Sequence, residues 1–304
     1  MRVVIVGLGI QGRKRMAIAA QAVVATVDPV IESATFKSIQ EVPLDSYDAV
    51  FVCTPDQAKF SVLNYLLSHK KHVLVEKPLL ADTGDKSLLE LQRLAASNKT
   101  VCYTAYNHRF EPHILRTKRV LDEQTLGRIY LVKFFYGNGT AFDVKQSVWR
   151  DKGLGVLPDL GSHVLDLTLF LFGEVKGAFK SVDLRCFENR SLDYAHFICQ
   201  GDLSLVYETT LLSWKNTFLM DIFGEKGSLH VNGLCKWGPS ILNIRKRVLP
   251  SGKPMEESET IVSEDPTWKK EQEYFYELCL KGGSNLTNDI WIGQKLNEIS
   301  RTTK

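Results

Sequence analysis

Residues 2–6 read Arg-Val-Val-Ile-Val, a run that is β-branched from Val3 and stops at Gly7. A strand apolar on both faces suits the interior of a parallel sheet, where helices cover both sides. Past the glycine turn, residues 13–20 favour a helix and residues 22–27 a second short strand, which completes one β-α-β unit. The pattern then repeats. Residues 49–52 read as a third buried strand, residues 57–69 as a helix with Phe60, Leu63, Leu66 and Leu67 at helical spacing, and residues 72–75 as a fourth strand. Asp82 or Thr83 is placed to cap a helix running through Ala96, and residues 101–104 supply a fifth strand. Such alternation predicts an α/β doubly wound sheet of Rossmann type. Segment 29–47 has little room for a full crossover helix, so a single turn is expected there.

From about Arg128 strand-like runs follow one another at 128–136, 175–187, 195–200, 203–212, 218–223 and 241–248, with turns such as Gly224-Glu225-Lys226-Gly227. Consecutive strands without crossover helices predict a predominantly antiparallel sheet. One helix, 159–172, interrupts them, and two more, 268–280 and 289–300, close the chain. The expected division is a first domain over 1–124 and a second α/β domain over 125–304, with the terminal helix packing back on the first.

Composition narrows the function classes. At 44% hydrophobic and 24% charged residues the chain can bury a sizeable core, so disorder is not the default. Its 38 basic and 35 acidic residues are interspersed, which points to neither nucleic acid nor an anionic membrane as partner. The apolar run before Gly7 is too short for a secretory leader, and residues 164–172 fall short of the ~20 needed to span a bilayer. The six cysteines show no CxxC pair and no histidine at zinc-finger spacing. A cytoplasmic protein with reduced thiols and no metal is expected.

Gly7-Leu8-Gly9-Ile10-Gln11-Gly12 fits GxGxxG with a strand before it and a helix after it, the context that makes the pattern informative. The first glycine permits the tight turn, the second admits a pyrophosphate to the backbone, and the third lets helix pack on strand. Asp28 ends the second strand near the ~20-residue offset at which a carboxylate accepts the adenosine ribose diol. Pro29 and Val30 follow, with no arginine to pair a 2′-phosphate, so NAD is favoured over NADP. An ordinary glycine turn followed by a solvated aspartate is the alternative.

Glu76-Lys77-Pro78 stands at the carboxyl end of the fourth strand, where open parallel sheets place their ligands. Together with Thr54-Pro55 after the third strand, Tyr106 to Phe110 after the fifth, and Asp159-Leu160-Gly161-Ser162-His163 leading to Asp166, these segments resemble the glucose-fructose oxidoreductase, inositol dehydrogenase and MocA family. The resemblance covers nearly the whole chain. It implies a Rossmann domain with a cofactor side built from Gly7, Gly9, Ile10, Gln11, Gly12, Asp28, Cys53, Thr54, Pro55 and Glu76. It implies a second domain whose open sheet packs against another subunit in a homodimer or homotetramer. It also implies that Lys77 and His163 meet beside the nicotinamide, with Lys77-Pro78 a cis peptide. Three positions depart from the family pattern: Lys59 stands where a TPxxxH histidine is common, Leu154 interrupts a glycine run, and the 29–47 crossover is short.

The chemistry agrees with the resemblance. Oxidising a secondary alcohol removes a proton from oxygen as hydride leaves carbon, so a base and a cation near that oxygen are both useful. His163 has the ordinary proton affinity for the base. Asp159, four residues earlier, is on the same helical face and could orient the imidazole. Lys77 would stabilise the developing alkoxide. Asp166 is as suited to a structural hydrogen bond as to catalysis. Asn107, Trp149 and Arg150 are candidates for the substrate pocket, with Arg109 equally suited to anchoring the domain junction. His108 and Arg150 gain interest if the substrate carries a phosphate or nucleotide.

The expected activity is hydride transfer between NAD and a secondary hydroxyl or ketone of a sugar, cyclitol or nucleotide-linked sugar. Two alternatives stay open: a NAD-dependent glycosidase of the same fold, and a non-catalytic NAD-sensing regulator. The regulator should have lost the lysine or the histidine, and both are present.

Overall fold

The computed structural model describes residues 1–80, 85–148 and 150–301. Its two compact units are residues 1–107 with 267–293, and residues 108–266 with those from 294 onward.

The first unit opens as the apolar runs dictate: β1 (Val3–Val6), α1 (Ile10–Ala19), β2 (Val23–Val27), β3 (Ala49–Val52), α2 (Asp56–Ser68), β4 (His72–Glu76), α3 (Asp85–Ser97) and β5 (Cys102–Ala105). The strands form a parallel sheet in the order β2-β1-β3-β4-β5. Every residue of β1 and β3 is buried, because successive side chains feed opposite cores. Val4, Val50 and Val73 pack with Leu63, Leu66 and Leu67 of α2 and Leu88 and Leu91 of α3. Val3, Ile5, Phe51 and Leu74 face the other way, into a core closed by Phe275. Between β2 and β3 the chain makes only 3₁₀ turns at Ile39–Glu41 and Leu44–Ser46, in keeping with the short crossover. The proposed cap residues Asp82 and Thr83 lie outside the described residues.

The second unit contains α4 (Pro112–Asp122), β6 (Ile129–Gly137), α5 (Ala141–Lys145), α6 (Ser162–Phe172), β7 (Gly177–Arg185), β8 (Tyr194–Gly201), β9 (Ser204–Thr210), β10 (Thr217–Gly224), β11 (Gly227–Asn232), β12 (Ser240–Lys246) and β13 (Met255–Ile261). They build one sheet in the order β13-β12-β11-β10-β6-β9-β8-β7. Neighbours are antiparallel except at the centre, where β6 and β9 run parallel. Phe134 and Tyr207 face each other across that parallel pair, rings stacked at 5.5 Å. Tyr207 OH also meets Thr168 Oγ1 at 2.9 Å, which ties α6 to the sheet. Two strands, β11 and β13, add to those expected. The helix expected from Asp159 begins instead as a π-helical turn, Leu157–Gly161, that runs directly into α6. There the Ser162 hydroxyl donates to the Pro158 carbonyl at 2.7 Å.

Two helices follow, α7 (Thr267–Lys281) and α8 (Leu286–Arg301). Residues 267–293 complete the first unit by covering the free edge of its sheet. Ser284 Oγ accepts the Cys102 amide at 3.0 Å, and Asn285 brackets Thr104, accepting its N–H at 2.7 Å and donating to its carbonyl at 2.9 Å. Asp289, fully buried, accepts from the Thr104 hydroxyl at 2.7 Å. A parallel sheet edge would otherwise present unpaired amides to solvent. No described helix is long and apolar enough to cross a membrane.

Candidate active site

The glycine loop sits at the carboxyl end of β1, and its geometry explains each glycine. Gly7 has φ of 91°, and a Cβ there would lie 2.6 Å from the Cys53 carbonyl oxygen. A Cβ on Gly12 would lie 1.8 Å from the Gly7 oxygen, so helix and turn approach with no room for a side chain. Gly9 differs: nothing lies within 4 Å of where its Cβ would be. It is also the residue before α1, whose N-terminus has no side-chain cap and no acidic residue in its first turn. Open space over uncapped amide donors, at the positive end of a helix, fits a pyrophosphate. Ile10 and Gln11 contribute their amides to that first turn.

Asp28, at the end of β2, is held by three backbone donors. Oδ2 accepts the Leu8 amide at 2.8 Å, and Oδ1 accepts those of Val30 at 2.9 Å and Ile31 at 3.0 Å. Burial alone would raise this carboxyl, but the three amides and the Lys37 charge outweigh it and hold it below its ordinary value. A carboxylate has about four lone-pair sites, so it retains capacity for a ribose hydroxyl. Cys53 is half-buried, and desolvation of its thiol, and then the Glu76 charge, push that thiol well above the ordinary range, which makes it a packing residue. The Thr54 hydroxyl is buried with no hydrogen-bond partner among the described residues, and Pro55 precedes α2. Together these groups fit a dinucleotide.

Glu76 ends β4, Lys77 follows it, and the Lys77-Pro78 peptide is cis. Glu76 Oε1 accepts from Arg15 Nε at 2.7 Å. Arg15, 1% exposed, also donates to Glu271 of α7 at 2.5 Å and stacks 4.2 Å from the Trp268 ring centroid. Lys59, which stands where the family pattern has a histidine, is buried. Its ammonium donates to the Pro78 carbonyl at 2.7 Å and pairs with Asp56 at 2.6 Å. Asn107 Nδ2 donates to Thr267 Oγ1 at 2.8 Å.

The second unit holds a cluster around His163. His163 is 6% exposed, and its ring centroid lies 3.9 Å from that of His108. Tyr136, from β6, packs against both rings at 5.9 and 5.4 Å. The 3₁₀ turn Cys235–Trp237 closes this cluster: Lys236 Nζ meets His108 Nε2 at 3.2 Å and lies 4.4 Å from the Trp237 ring centroid. Burial, with the Asp159 and Glu111 charges behind it, raises the Tyr136 phenol far above its ordinary value, so it stays protonated. Asp159 faces Arg150 at 3.8 Å. Asp166 is buried and bound by Arg109 through two bonds, 2.7 and 2.5 Å, so it serves as a structural partner one helical turn after His163. Trp149 lies outside the described residues.

Tyr136, Lys236, Trp237 and Arg15 were not read from the sequence. Lys236 is 128 positions from His108, and no local pattern links them. Among the described residues no group of three His, Cys, Asp or Glu side chains is arranged to hold a metal ion.

Comparison with known proteins gives a consistent picture. Residues 1–106 match the model described as an oxidoreductase family, NAD-binding Rossmann fold, and residues 114–230 match a GFO/IDH/MocA C-terminal domain. The chain is 31% identical over 163 residues to the scyllo-inositol 2-dehydrogenase (NADP(+)) of Bacillus subtilis strain 168, covering 52% of this chain and 44% of that protein. It is 26% identical over 145 residues to the glucose-6-phosphate 3-dehydrogenase of the same organism, covering 45% and 40%. The chain thus spans less than half the length of these curated relatives. In fold it is similar to a levoglucosan dehydrogenase solved in complex with NADH, with a TM-score of 0.86 at 17% identity over 99% of this chain and 96% of that one.

Proposed function

The chain belongs to the Gfo/Idh/MocA family of oxidoreductases, and from that membership we propose that it is a NAD-dependent dehydrogenase or reductase acting on a secondary hydroxyl or ketone. The substrate is a sugar, a cyclitol or a nucleotide-linked sugar. The observation that carries the cofactor half of this reading is the open approach at Gly9 over the uncapped start of α1, with an ionised Asp28 alongside. The same carboxylate would face a 2′-phosphate, and the residues after it offer no arginine, which favours NAD over NADP.

The α1 amides would hold the pyrophosphate, and Asp28 would accept from the ribose. Bound nicotinamide supplies the hydride acceptor, or the donor in the reverse direction. Lys77 donates a hydrogen bond to the reacting oxygen and stabilises negative charge there. His163 takes the hydroxyl proton on its unprotonated ring nitrogen, and Asp159 orients the substrate side of that imidazole. Arg109 and Asp166 hold the His163 helix in place. The enzyme works in the cytoplasm as a homodimer or homotetramer joined through the second sheet.

The test is NADH absorbance against a panel of cyclitols, sugars, sugar phosphates and UDP-sugars, with NADH binding measured separately. Lys77→Ala and His163→Ala should bind NADH normally and lose turnover. Undiminished turnover in both variants would contradict the assignment.

A further inference from the structure

We propose that Lys236 is a positioning residue that decides which of two touching imidazoles carries the proton, holding His108 neutral so that His163 is the one base that exchanges it. The inference rests on the reading of His163 as base.

Two buried imidazoles whose centroids are 3.9 Å apart cannot both be charged without strong like-charge repulsion. One proton must therefore choose between them. An ammonium has three N–H donors and no lone pair, so in its 3.2 Å contact with His108 Nε2 that nitrogen can only be the acceptor. His108 is then the neutral tautomer with its proton on Nδ1. Protonating it would set an imidazolium N–H against an ammonium. Tyr136, which packs against the His163 ring, is a neutral phenol and brings no cation to it.

The other charged groups around this cluster come from several elements. Asp159 and its partner Arg150 lie at and before the π-helical turn. Glu111 precedes α4, and its carboxyl accepts the Cys235 amide at 3.2 Å and thiol at 2.9 Å. Asp265 follows β13, and its charge acts on both Glu111 and Cys235. Arg109, beside His108 in sequence, is committed to Asp166. The Lys236 ammonium is in hydrogen-bond contact with the His108 ring.

During alcohol oxidation the carbon loses a hydride to the nicotinamide and the oxygen loses a proton to His163. If His108 could take that proton instead, the charge would rest one ring away from the reacting oxygen. Lys236 closes that route.

The direct experiment is imidazole nitrogen NMR on the ligand-free protein across pH. His108 should remain a neutral Nδ1–H tautomer throughout the range in which His163 titrates. In Lys236→Met the two rings should share one proton. In turnover, the acid limb of kcat/KM should move up by about one pH unit in Lys236→Met, as expected when a cation near a base is removed. Lys236→Arg should leave the limb in place, and adding His108→Asn to Lys236→Met should return it. A wild-type His108 protonated on Nε2, or an unmoved limb in Lys236→Met, would overturn the proposal. Turnover surviving in His163→Ala would instead sink the base assignment, while the NMR spectrum still decides the tautomer.

Discussion

Arg15 Nε donates to Glu76 Oε1 at 2.7 Å, so the middle of α1 fixes the residue immediately before Lys77. The guanidinium reaches Glu271 with its other end, which places one buried cation between two carboxylates. Removing one member of such a cluster leaves uncompensated buried charge. Arg15→Met should cost about 3–5 kcal/mol of stability, read as a lowered urea midpoint. Arg15→Lys should recover only part, because an ammonium cannot match a fork with two carboxylates at fixed angles. A midpoint unchanged in Arg15→Met would show that the cluster contributes nothing net.

The glycine loop allows stability and cofactor affinity to be separated. Gly12→Ala places a methyl 1.8 Å from a backbone oxygen and should lower the thermal midpoint or the soluble yield. Gly9 has φ of −67° and open space, so Gly9→Ala should fold with an unchanged midpoint. Its methyl would sit where the pyrophosphate comes closest, so NADH affinity should fall by tenfold or more, about 1.4 kcal/mol. Calorimetric titration with NADH, beside a melting curve for each variant, checks both halves.

How much of this was legible in the sequence depends on whether a residue's reason for being there is local. The strands at 49–52 and 72–75 announce themselves because parallel strands need apolar residues on both faces. β11 carries only Leu229 and Val231 inward, between polar Ser228, His230 and Asn232, and so merged with the turn before it. β13, Met-Glu-Glu-Ser-Glu-Thr-Ile, buries almost nothing and exists through its ladder with β12, which no hydrophobic pattern could announce. The parallel β6–β9 pair is equally silent, since strand order reads as consecutive hairpins. Among the candidate residues, Lys77 and His163 stand out through motifs. Lys236 and Tyr136 are defined by contacts over long separations, and Asp166 needed its arginine on view before its role was evident.

Glu111 gives a pH dependence with a definite sign. Burial is the largest influence on it and lifts its carboxyl above the ordinary 4.5, against the Cys235 donors and the Lys236 charge. The folded state therefore holds this proton more tightly than the unfolded chain does. Its contribution to stability is present below the ordinary value and is lost as pH rises through the raised one. Glu111→Gln keeps an acceptor for the Cys235 amide and removes the ionisation. The variant should gain on the wild type as pH rises above the ordinary 4.5, measured as urea midpoints at a series of pH values. A constant difference across that series would refute the shift.

Asp28→Asn tests cofactor discrimination. The amide keeps one acceptor oxygen but loses the charge and one or two of the three backbone bonds. NADH affinity should drop about tenfold, in line with the ~1.5–3 kcal/mol attached to hydrogen bonds with a charged group. The NADPH-to-NADH preference should move toward NADPH, because a 2′-phosphate would no longer meet an anion. Equal losses for the two cofactors would mean that Asp28 shapes the loop without reading the ribose.

The clasp on β5 sets an order of events during synthesis. Its partners Ser284, Asn285 and Asp289 are made some 180 residues after the strand they cover, as the 182 positions between Cys102 and Ser284 record. Until they emerge from the ribosome, the nascent nucleotide-binding half carries a bare, adhesive border that any other extended chain could join. A fragment ending near Asn107 would keep that border permanently. Severing this polypeptide between its two halves therefore yields one piece prone to clumping, whatever the intrinsic stability of its helices and strands.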